Sequence, residues 1–263
     1  MLMTTMTTTA MHVHAACGTH HGGRTVNQDR FIVEPHLGLY AVLDGMGGAA
    51  AGEIAAQLAQ DALVEFMRKR RRVGYSRREL LQAGIDYASA TVHHAALASP
   101  AYAGMGSTVV ACLIEQHQIT IGHAGDSRAY LLRDGLHLLT RDHNQLQAAL
   151  DTGYVPDATH RRYLEATLTR NLGEQPGAEA DMFEMALQAG DRLLLCSDGL
   201  SNCLSEEMIE RVLALDEPPD ELAMGLVQMA VCSTARDNVT ALVITLESRR
   251  AQLEHADTGT DAA

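Results

Sequence analysis

The chain has 263 residues, of which 46% are hydrophobic and 20% are charged. This composition is typical of a globular protein and excludes a disordered chain, a collagen or a coiled coil. The formal net charge of −13 argues against sequence-independent binding to nucleic acids, which requires a basic surface.

The sequence predicts neither a signal peptide at the N-terminus nor a membrane span. Residues 1–10 are rich in Thr, lack the charged and apolar regions of a signal peptide, and are predicted to be flexible. The longest stretch without Asp, Glu, Lys or Arg is 87–114, and it contains Pro100 and two glycines, so it does not predict a membrane span. The five cysteines have no paired spacing, which indicates reduced thiols. We therefore expect a cytoplasmic protein.

Short apolar or alternating runs recur along most of the chain and predict strands. They cover 12–17, 30–33, 37–43, 107–115, 118–124, 128–133, 136–140, 181–187, 192–196 and 239–246. Because most follow one another without intervening helices, we expect mainly antiparallel pairing.

Four segments predict helices: 49–67, 77–98, 206–215 and 219–231. The first has an apolar stripe of residues four apart, and the second has Ser76 as an N-cap with Glu79 three residues later. Residues 11–247 are predicted to form one α+β domain in which helices cover packed antiparallel sheets. Residues 248–263 lose periodicity and predict a disordered tail.

A basic run stands out in this acidic chain. Residues 68–72, with Arg77 and Arg78, contain most of the local positive charge. One interpretation is a solvated helix end, where cations interact favourably with the helix dipole. The other is a docking patch for acidic or phosphorylated partners, and the sequence leaves both open.

Five carboxylates stand at the ends of predicted strands, beside Gly or Asn or in a polar turn. They are Asp29, Asp44, Asp126, Asp198 and Asp237. Each of these short sequences alone is also a common turn, and spacing alone leaves open whether the five converge. If they do, they would repel one another unless a cation neutralised them. Oxygen ligands favour Mg²⁺ or Mn²⁺ over Zn²⁺, and two such ions could activate water against a phosphate.

The ordered motifs around these residues resemble the metal-dependent protein phosphatase family, also called protein phosphatase 2C, in its compact bacterial form. The matching stretches are residues 24–29, 44–48, 52–53, 106–108, 122–128, 139–143, 168–173, 190–191, 197–200 and 237–240. Each motif is weak alone, but their order and spacing over nearly the whole chain are highly specific.

The resemblance implies two stacked antiparallel sheets flanked by helical pairs, an αββα sandwich. It also implies hydrolysis of phosphoserine and phosphothreonine in proteins, without a covalent enzyme intermediate and with two or three Mn²⁺ or Mg²⁺ ions. The expected partners are phosphoproteins, a bacterial Ser/Thr kinase and its targets, for a monomeric enzyme that binds no nucleic acid.

The resemblance assigns roles by position. Asp44 is similar to the carboxylate that bridges two metals, and Gly45 to the carbonyl ligand of the second metal. Asp198 and Asp237 resemble the other carboxylates of the first metal. Asp29 resembles the carboxylate that contacts the metals through water, Asp126 a ligand of a third metal, and Arg24 the arginine that binds the substrate phosphate.

The chain also departs from the family pattern. Met46 and Ala49 stand where many relatives have histidines, so the proton for the leaving group must come from elsewhere. The family's flap would cover 153–167, with Gly153, His160 and Arg161 as candidate residues for substrate choice. This stretch fits the family poorly, which leaves the substrate open.

Two other functions compete with an active phosphatase opposing bacterial kinases. One is a catalytically inactive relative that binds phosphoproteins as a sensor or scaffold, although Asp44, Asp198 and Asp237 are all retained. The other is a phosphatase of the same superfamily acting on anti-sigma-type regulators.

We expect His123 and His143 to have hydrogen-bonded structural roles, because oxygen ligands already suit a hard metal.

Overall fold

The computed structural model describes residues 11–48, 51–70 and 74–248. In chain order the strands are β1 (Met11–His20), β2 (Asp29–Glu34), β3 (Leu39–Met46), β4 (Gly106–Ser107), β5 (Val109–Glu115), β6 (Gln118–Ala124), β7 (Arg128–Leu132), β8 (Leu136–Leu138), β9 (Asp181–Ala186), β10 (Arg192–Cys196) and β11 (Val239–Ser248). The helices are α1 (Ala51–Arg70), α2 (Arg77–Ala98), α3 (Gln145–Asp151), α4 (Ala158–Glu165), α5 (Asp198–Ser201), α6 (Glu206–Leu213) and α7 (Pro219–Cys232), with a 3₁₀ turn at Pro100–Tyr102.

The strands form two antiparallel sheets. The first has the order β1-β11-β10-β7-β8, and the second has the order β2-β3-β5-β6-β9 with β4 added beside β3. Each of the ten predicted strands is confirmed, and the prediction over 107–115 divides into β4 and β5. The structure therefore confirms the α+β architecture of two antiparallel sheets with helices.

The apolar core has three layers because the central strands are buried on both faces. In β3, Tyr40 and Val42 pack between the two sheets, whereas Ala41 and Leu43 face the layer formed with α1 and α2. The outer face of the first sheet packs in the same way against α6 and α7.

The four predicted helices are confirmed; α2 has the predicted bounds, and the other three have shifted ends. Ser76 and Glu79 form the predicted capping box at the start of α2, and Ser205 caps α6. The predicted start of the first helix, 49–50, lies outside the described residues. The short helices α3, α4 and α5 were not predicted, because their few residues give no apolar stripe long enough to recognise.

The two predicted flexible ends lie almost wholly outside the described residues. The expected tail begins one residue too early, because Ser248 still belongs to β11 and pairs with Met11. No helix in the described part of the chain is long and apolar enough to cross a membrane.

The basic run is only partly described, since residues 71–73 are not. Arg68 pairs with Glu34 at 2.7 Å, and Lys69 pairs with Glu65 on its own helix. These contacts are those of a solvated helix end. The docking alternative remains a prediction.

Candidate active site

Sheet pairing brings the predicted carboxylates to one cleft. Asp29 and Asp44 are direct partners across the β2–β3 pair. Asp198 follows the end of β10, and Asp237 precedes β11; because Cys196 pairs with Ala241, these two ends meet at the same sheet edge.

The cleft has a cavity volume of about 410 Å³. Six of the seven residues assigned by resemblance to metal or phosphate binding line it: Arg24, Asp44, Gly45, Asp126, Asp198 and Asp237. The seventh, Asp29, is 3% exposed and lies behind the cleft surface. The antiparallel pairing thus joins residues that are up to 213 positions apart, as in the 2.7 Å contact between Arg24 and Asp237.

The carboxylates border the cleft without forming a closed ligand cage. Among residues 11–48, 51–70 and 74–248, no three Asp, Glu, His or Cys side chains are grouped closely enough to hold an ion by themselves. This open arrangement fits hard cations such as Mg²⁺, which keep several water ligands and use few protein carboxylates.

Two carboxylate oxygens support such an occupant. Asp29 Oδ1 and Asp198 Oδ1 are buried and have no hydrogen-bond partner in the described structure. A buried carboxylate oxygen without a partner is costly, so these atoms fit a site that is completed by cations and water. The donor set is made of oxygen atoms, which suits Mg²⁺ or Mn²⁺.

Burial and mutual repulsion raise the pKa values of these carboxyl groups. Burial is the main cause for Asp44 and Asp198, whose pKa values lie well above the usual range, and the neighbouring carboxylates add to it. Burial, reinforced by Asp142, raises the pKa of Asp126 to about 7. Several carboxyl groups with raised pKa values lie in one cleft. This indicates a site whose negative charge is neutralised by bound cations when the carboxylates are ionised.

Asp29 is held by two buried hydroxyl groups that the sequence did not single out. Ser197 Oγ and Thr240 Oγ1 both donate to Asp29 Oδ2, at 2.8 and 2.6 Å. Burial raises the pKa of Asp29 to about 6 although these two hydrogen bonds oppose the shift. The hydroxyls therefore fix one oxygen of the carboxylate and leave the other available.

A second hydroxyl pair supports the end of β3. The backbone N–H of Asp44 donates to Thr108 Oγ1 at 3.0 Å, and the N–H of Thr108 donates to the Asp44 carbonyl at 2.8 Å. Thr108 Oγ1 also lies 2.7 Å from Ser127 Oγ, next to Asp126. The sequence motifs contained both hydroxyl residues, but only the structure shows that they join two carboxylate-bearing segments.

Asn238 anchors the loop that carries Arg24. Its Oδ1 accepts a hydrogen bond from the N–H of Gln28 at 2.9 Å, while its Nδ2 donates to the carbonyls of His21 and Val26. The hydrogen bond to Asp237 raises the pKa of Arg24, so the guanidinium stays charged beside the cleft.

Two glycines are required by close backbone packing around the site. A Cβ on Gly45 would lie 2.0 Å from the carbonyl oxygen of Gly52, and a Cβ on Gly199 would lie 2.0 Å from that of Asn238. No side chain fits at such distances, so glycine is needed beside Asp44 and Asp198 for steric reasons.

The three candidate substrate-choice residues lie apart from this cleft. Gly153 has a φ of +81° in the turn between α3 and α4, and His160 lies 3.0 Å from the hydroxyl of Tyr154. Arg161 lines a neighbouring cavity of about 270 Å³, which shares Asp126 and Asp198 with the cleft.

The two histidines in matched motifs differ. His143 has the expected hydrogen bonds, to the N–H of Gly125 and to Asp181. His123 is 1% exposed, and its ring interacts weakly with the Ser127 backbone without a well-formed hydrogen bond, so the expected hydrogen-bonded role stays a prediction for it. Its ring packs against that of His143 in a tilted arrangement, with ring centroids 4.6 Å apart.

Known proteins resemble this chain in both sequence and structure. The family model described as protein phosphatase 2C matches residues 17–229. The chain belongs to the protein phosphatase 2C family. The serine/threonine protein phosphatase PstP of Mycobacterium tuberculosis is 36% identical over 208 residues, which are 78% of this chain and 40% of PstP. The chain thus spans less than half the length of that relative.

Two other matches cover most or all of the matched chain. The serine/threonine phosphatase stp of Listeria innocua is 34% identical over 236 residues, covering 86% of this chain and 90% of stp. A crystal structure of the catalytic domain of PstP in complex with two manganese ions has a TM-score of 0.80 and 32% identity, covering 90% of this chain and 100% of that one. The family resemblance stated from the sequence is confirmed.

Proposed function

We propose that the protein hydrolyses phosphoserine and phosphothreonine in proteins, using Mn²⁺ or Mg²⁺ ions and a water molecule as nucleophile. The observation that supports this most directly is the convergence of Asp44, Asp126, Asp198, Asp237 and Arg24 on one cleft. The similarity to PstP and stp supports the same reaction class.

The proposed ion ligands rest on the resemblance to the family, and all four of them line the cleft. Asp44 would bridge two ions, the Gly45 carbonyl would bind one of them, and Asp198 and Asp237 would bind the other. Bound ions would activate water and screen the negative charge of the phosphate. The PstP structure with two manganese ions supports a site for at least two.

The outer carboxylates have separate proposed roles. Asp29, fixed through one oxygen by Ser197 and Thr240, would hold water molecules that complete the ion shells. Asp126, which lines both the cleft and the neighbouring cavity, would bind a third ion together with Asp198.

Arg24 would bind the substrate phosphate. Its Nη2 donates to Asp237 at 2.7 Å, which fixes the guanidinium at the edge of the cleft. A guanidinium has five N–H donors in a planar fork, so the donors that Asp237 does not use suit a phosphate.

The test is hydrolysis of p-nitrophenyl phosphate and of a phosphothreonine peptide with Mn²⁺, with Mg²⁺ and with EDTA. We expect activity that requires one of the ions and is lost in Asp44→Asn and Asp237→Asn, with Asp216→Asn as an exposed control. Comparison of the two ions establishes which one the enzyme uses better. A folded, ion-loaded protein without activity that still binds phosphopeptides would instead support the sensor or scaffold alternative.

We further propose that the substrates are proteins phosphorylated by a bacterial Ser/Thr kinase. Among them, the α3–α4 segment would select those with an acidic residue near the phosphorylated one. In the neighbouring cavity, Arg128 pairs with Asp142 at 2.7 Å and Arg161 pairs with Glu165 at 3.3 Å. Arg162 also lines this cavity but forms no ion pair with any described residue. Its charge is therefore available to an acidic side chain of the substrate.

Charge reversal tests this preference. Arg162→Glu should lower kcat/KM for a phosphothreonine peptide with a neighbouring Glu, and leave p-nitrophenyl phosphate turnover unchanged. Arg162→Lys, which keeps the charge, should retain the preference. Equal turnover of Glu-flanked and Lys-flanked peptides by the unmodified enzyme would contradict the proposal.

A further inference from the structure

His143 connects the Asp126 loop to the base of the α3–α4 segment. It follows β8, is 7% exposed, and its ring packs against the ring of His123. No role in phosphate or ion binding falls to it, since it does not line the reaction cleft. Its contacts nevertheless reach the residue next to Asp126.

Gly125 is bound to His143 twice. The N–H of His143 donates to the Gly125 carbonyl at 2.8 Å, and the N–H of Gly125 donates to His143 Nδ1 at 3.3 Å. Gly125 has a φ of +118°, and a Cβ there would lie 2.7 Å from Thr108. The loop just before Asp126 is thus held from both sides in a conformation that favours glycine.

The opposite ring nitrogen fixes which tautomer makes these bonds. His143 Nε2 lies 3.0 Å from Asp181 Oδ2, and Asp181 Oδ1 accepts from Arg170 at 2.7 Å. Because Nδ1 accepts from Gly125, a neutral ring must carry its proton on Nε2 and donate it to Asp181. Arg170 Nη1, 3.2 Å from Nε2, then donates to Asp181 and not to the ring.

The environment of His143 favours this neutral ring. Burial lowers the pKa of His143, and it lowers the pKa of the neighbouring His123 to about 4. Asp181 favours the charged ring, whereas Arg170 opposes it, and Asp142 is the other nearby carboxylate.

His143 also holds the two ends of the α3–α4 segment together. Its carbonyl accepts from the N–H of Thr169 at 2.8 Å. The next residues continue this contact, because the N–H of Gln145 donates to the Thr167 carbonyl at 2.8 Å and Asn144 pairs with Leu168. One buried residue therefore contacts both the Asp126 loop and the chain that follows α4.

We propose that His143 is a positioning residue: its Nε2–H tautomer, oriented by Asp181, holds the Gly125 N–H and so sets the position of the Asp126 carboxylate for the third ion. The ion assignment rests on the proposed function, whereas the tautomer and the hydrogen bonds do not.

Two substitutions separate the two sides of the ring. In His143→Asn, the amide oxygen replaces Nδ1 and keeps an acceptor for Gly125. In His143→Gln, the amide nitrogen replaces Nε2 and keeps a donor for Asp181 but leaves the Gly125 N–H unpaired. Calorimetry measures Mn²⁺ binding to each variant, to the unmodified protein and to Asp126→Asn. In parallel, 15N NMR of the metal-free proteins records the signals of the His143 ring.

We expect His143→Gln to weaken the weakest Mn²⁺ site about tenfold, as changes around metal ligands commonly do, with a much smaller loss in His143→Asn. The signals of the His143 ring are identified by their absence in both variants. In the unmodified protein, these signals should show the proton on Nε2. Equal Mn²⁺ affinities in the two variants, whether lowered or unchanged, would overturn the proposal, as would a ring protonated on Nδ1 or on both nitrogens in the unmodified protein. An isotherm unaffected by Asp126→Asn would instead overturn the third-ion assignment. If neither variant folds, the NMR result on the unmodified protein decides.

Discussion

The floor of the cleft and the α3–α4 segment above it are built in opposite ways. On the floor, carboxylates stand at the ends of long paired strands and are supported by hydroxyls that are 0–3% exposed, those of Thr108, Ser127, Ser197 and Thr240. In the two helices of the segment, only Leu146 and Leu164 are buried.

This difference indicates a division of roles. Groups that must neutralise and orient a phosphate need fixed positions, which buried strand ends and satisfied hydroxyl networks supply. Groups that choose among substrates belong on surface segments with few buried contacts, where sequence change costs little stability. Substitutions on the floor should therefore have larger effects than substitutions in the segment.

The largest expected effect is on the floor, from Asp198→Asn. Turnover should fall by about a hundredfold, because the change removes a proposed ion ligand. The metal-free protein should nevertheless have a higher Tm, since the change removes repulsion among buried carboxylates. Activity assays and thermal unfolding in EDTA measure both, and a lowered Tm would contradict the electrostatic account.

The stability of the metal-free protein should depend on pH. The pKa values of Asp29 and Asp126 rise to about 6 and about 7 in the folded state, so the folded protein binds protons that the unfolded chain releases. Stability should therefore be greatest near pH 4–5 and fall by about 2–4 kcal/mol as pH rises to 7.5.

Urea unfolding in EDTA at several pH values measures this fall. Added Mn²⁺ should flatten the pH dependence, because the ion stabilises the ionised carboxylates. A metal-free protein that gains stability from pH 5 to 7.5 would show that the carboxylates do not repel one another as inferred.

A smaller effect is expected where backbones approach closely. Gly45→Ala places a methyl group 2.0 Å from the Gly52 carbonyl oxygen and should cost about 1–3 kcal/mol of stability. Gly225→Ala is the matched control, since its nearest atom is 3.9 Å away and it lies within α7. That change should raise stability by up to about 1 kcal/mol, because alanine favours helix. Similar costs for both changes would show that the close approach is unimportant.

The smallest effect is expected in the segment, from Asp157→Ala. Asp157 caps α4 by accepting from the N–H groups of Thr159 and His160, both at 2.9 Å. Its loss should speed amide exchange within α4 without changing the global Tm, because the helix buries only Leu164. Asp157→Asn should keep the cap and the slower exchange. A lowered Tm would show that the segment contributes to global stability.

The sequence by itself determined the order of strands and long helices, because alternation and apolar stripes are local patterns. Ser76 and Glu79 show this at the start of α2, where a three-residue spacing predicted the capping box that the structure contains. The same local reading placed Asp29, Asp44, Asp126, Asp198 and Asp237 at strand ends.

Only the tertiary structure decided what those residues contact. Packing of one sheet against the other brings Thr240 of β11 to Asp29 of β2, and pairing of β1 with β11 brings Asp237 to Arg24. These residues are more than 200 positions apart, and no local pattern encodes such a contact. The short helices α3 and α4 were not predicted because neither has an apolar stripe long enough to recognise. The contacts of residues 144–145 with residues 167–168, which close the base of the segment, are likewise visible only in the tertiary structure. His143 likewise gained its position from residues far along the chain, which is why its spacing suggested only a structural role.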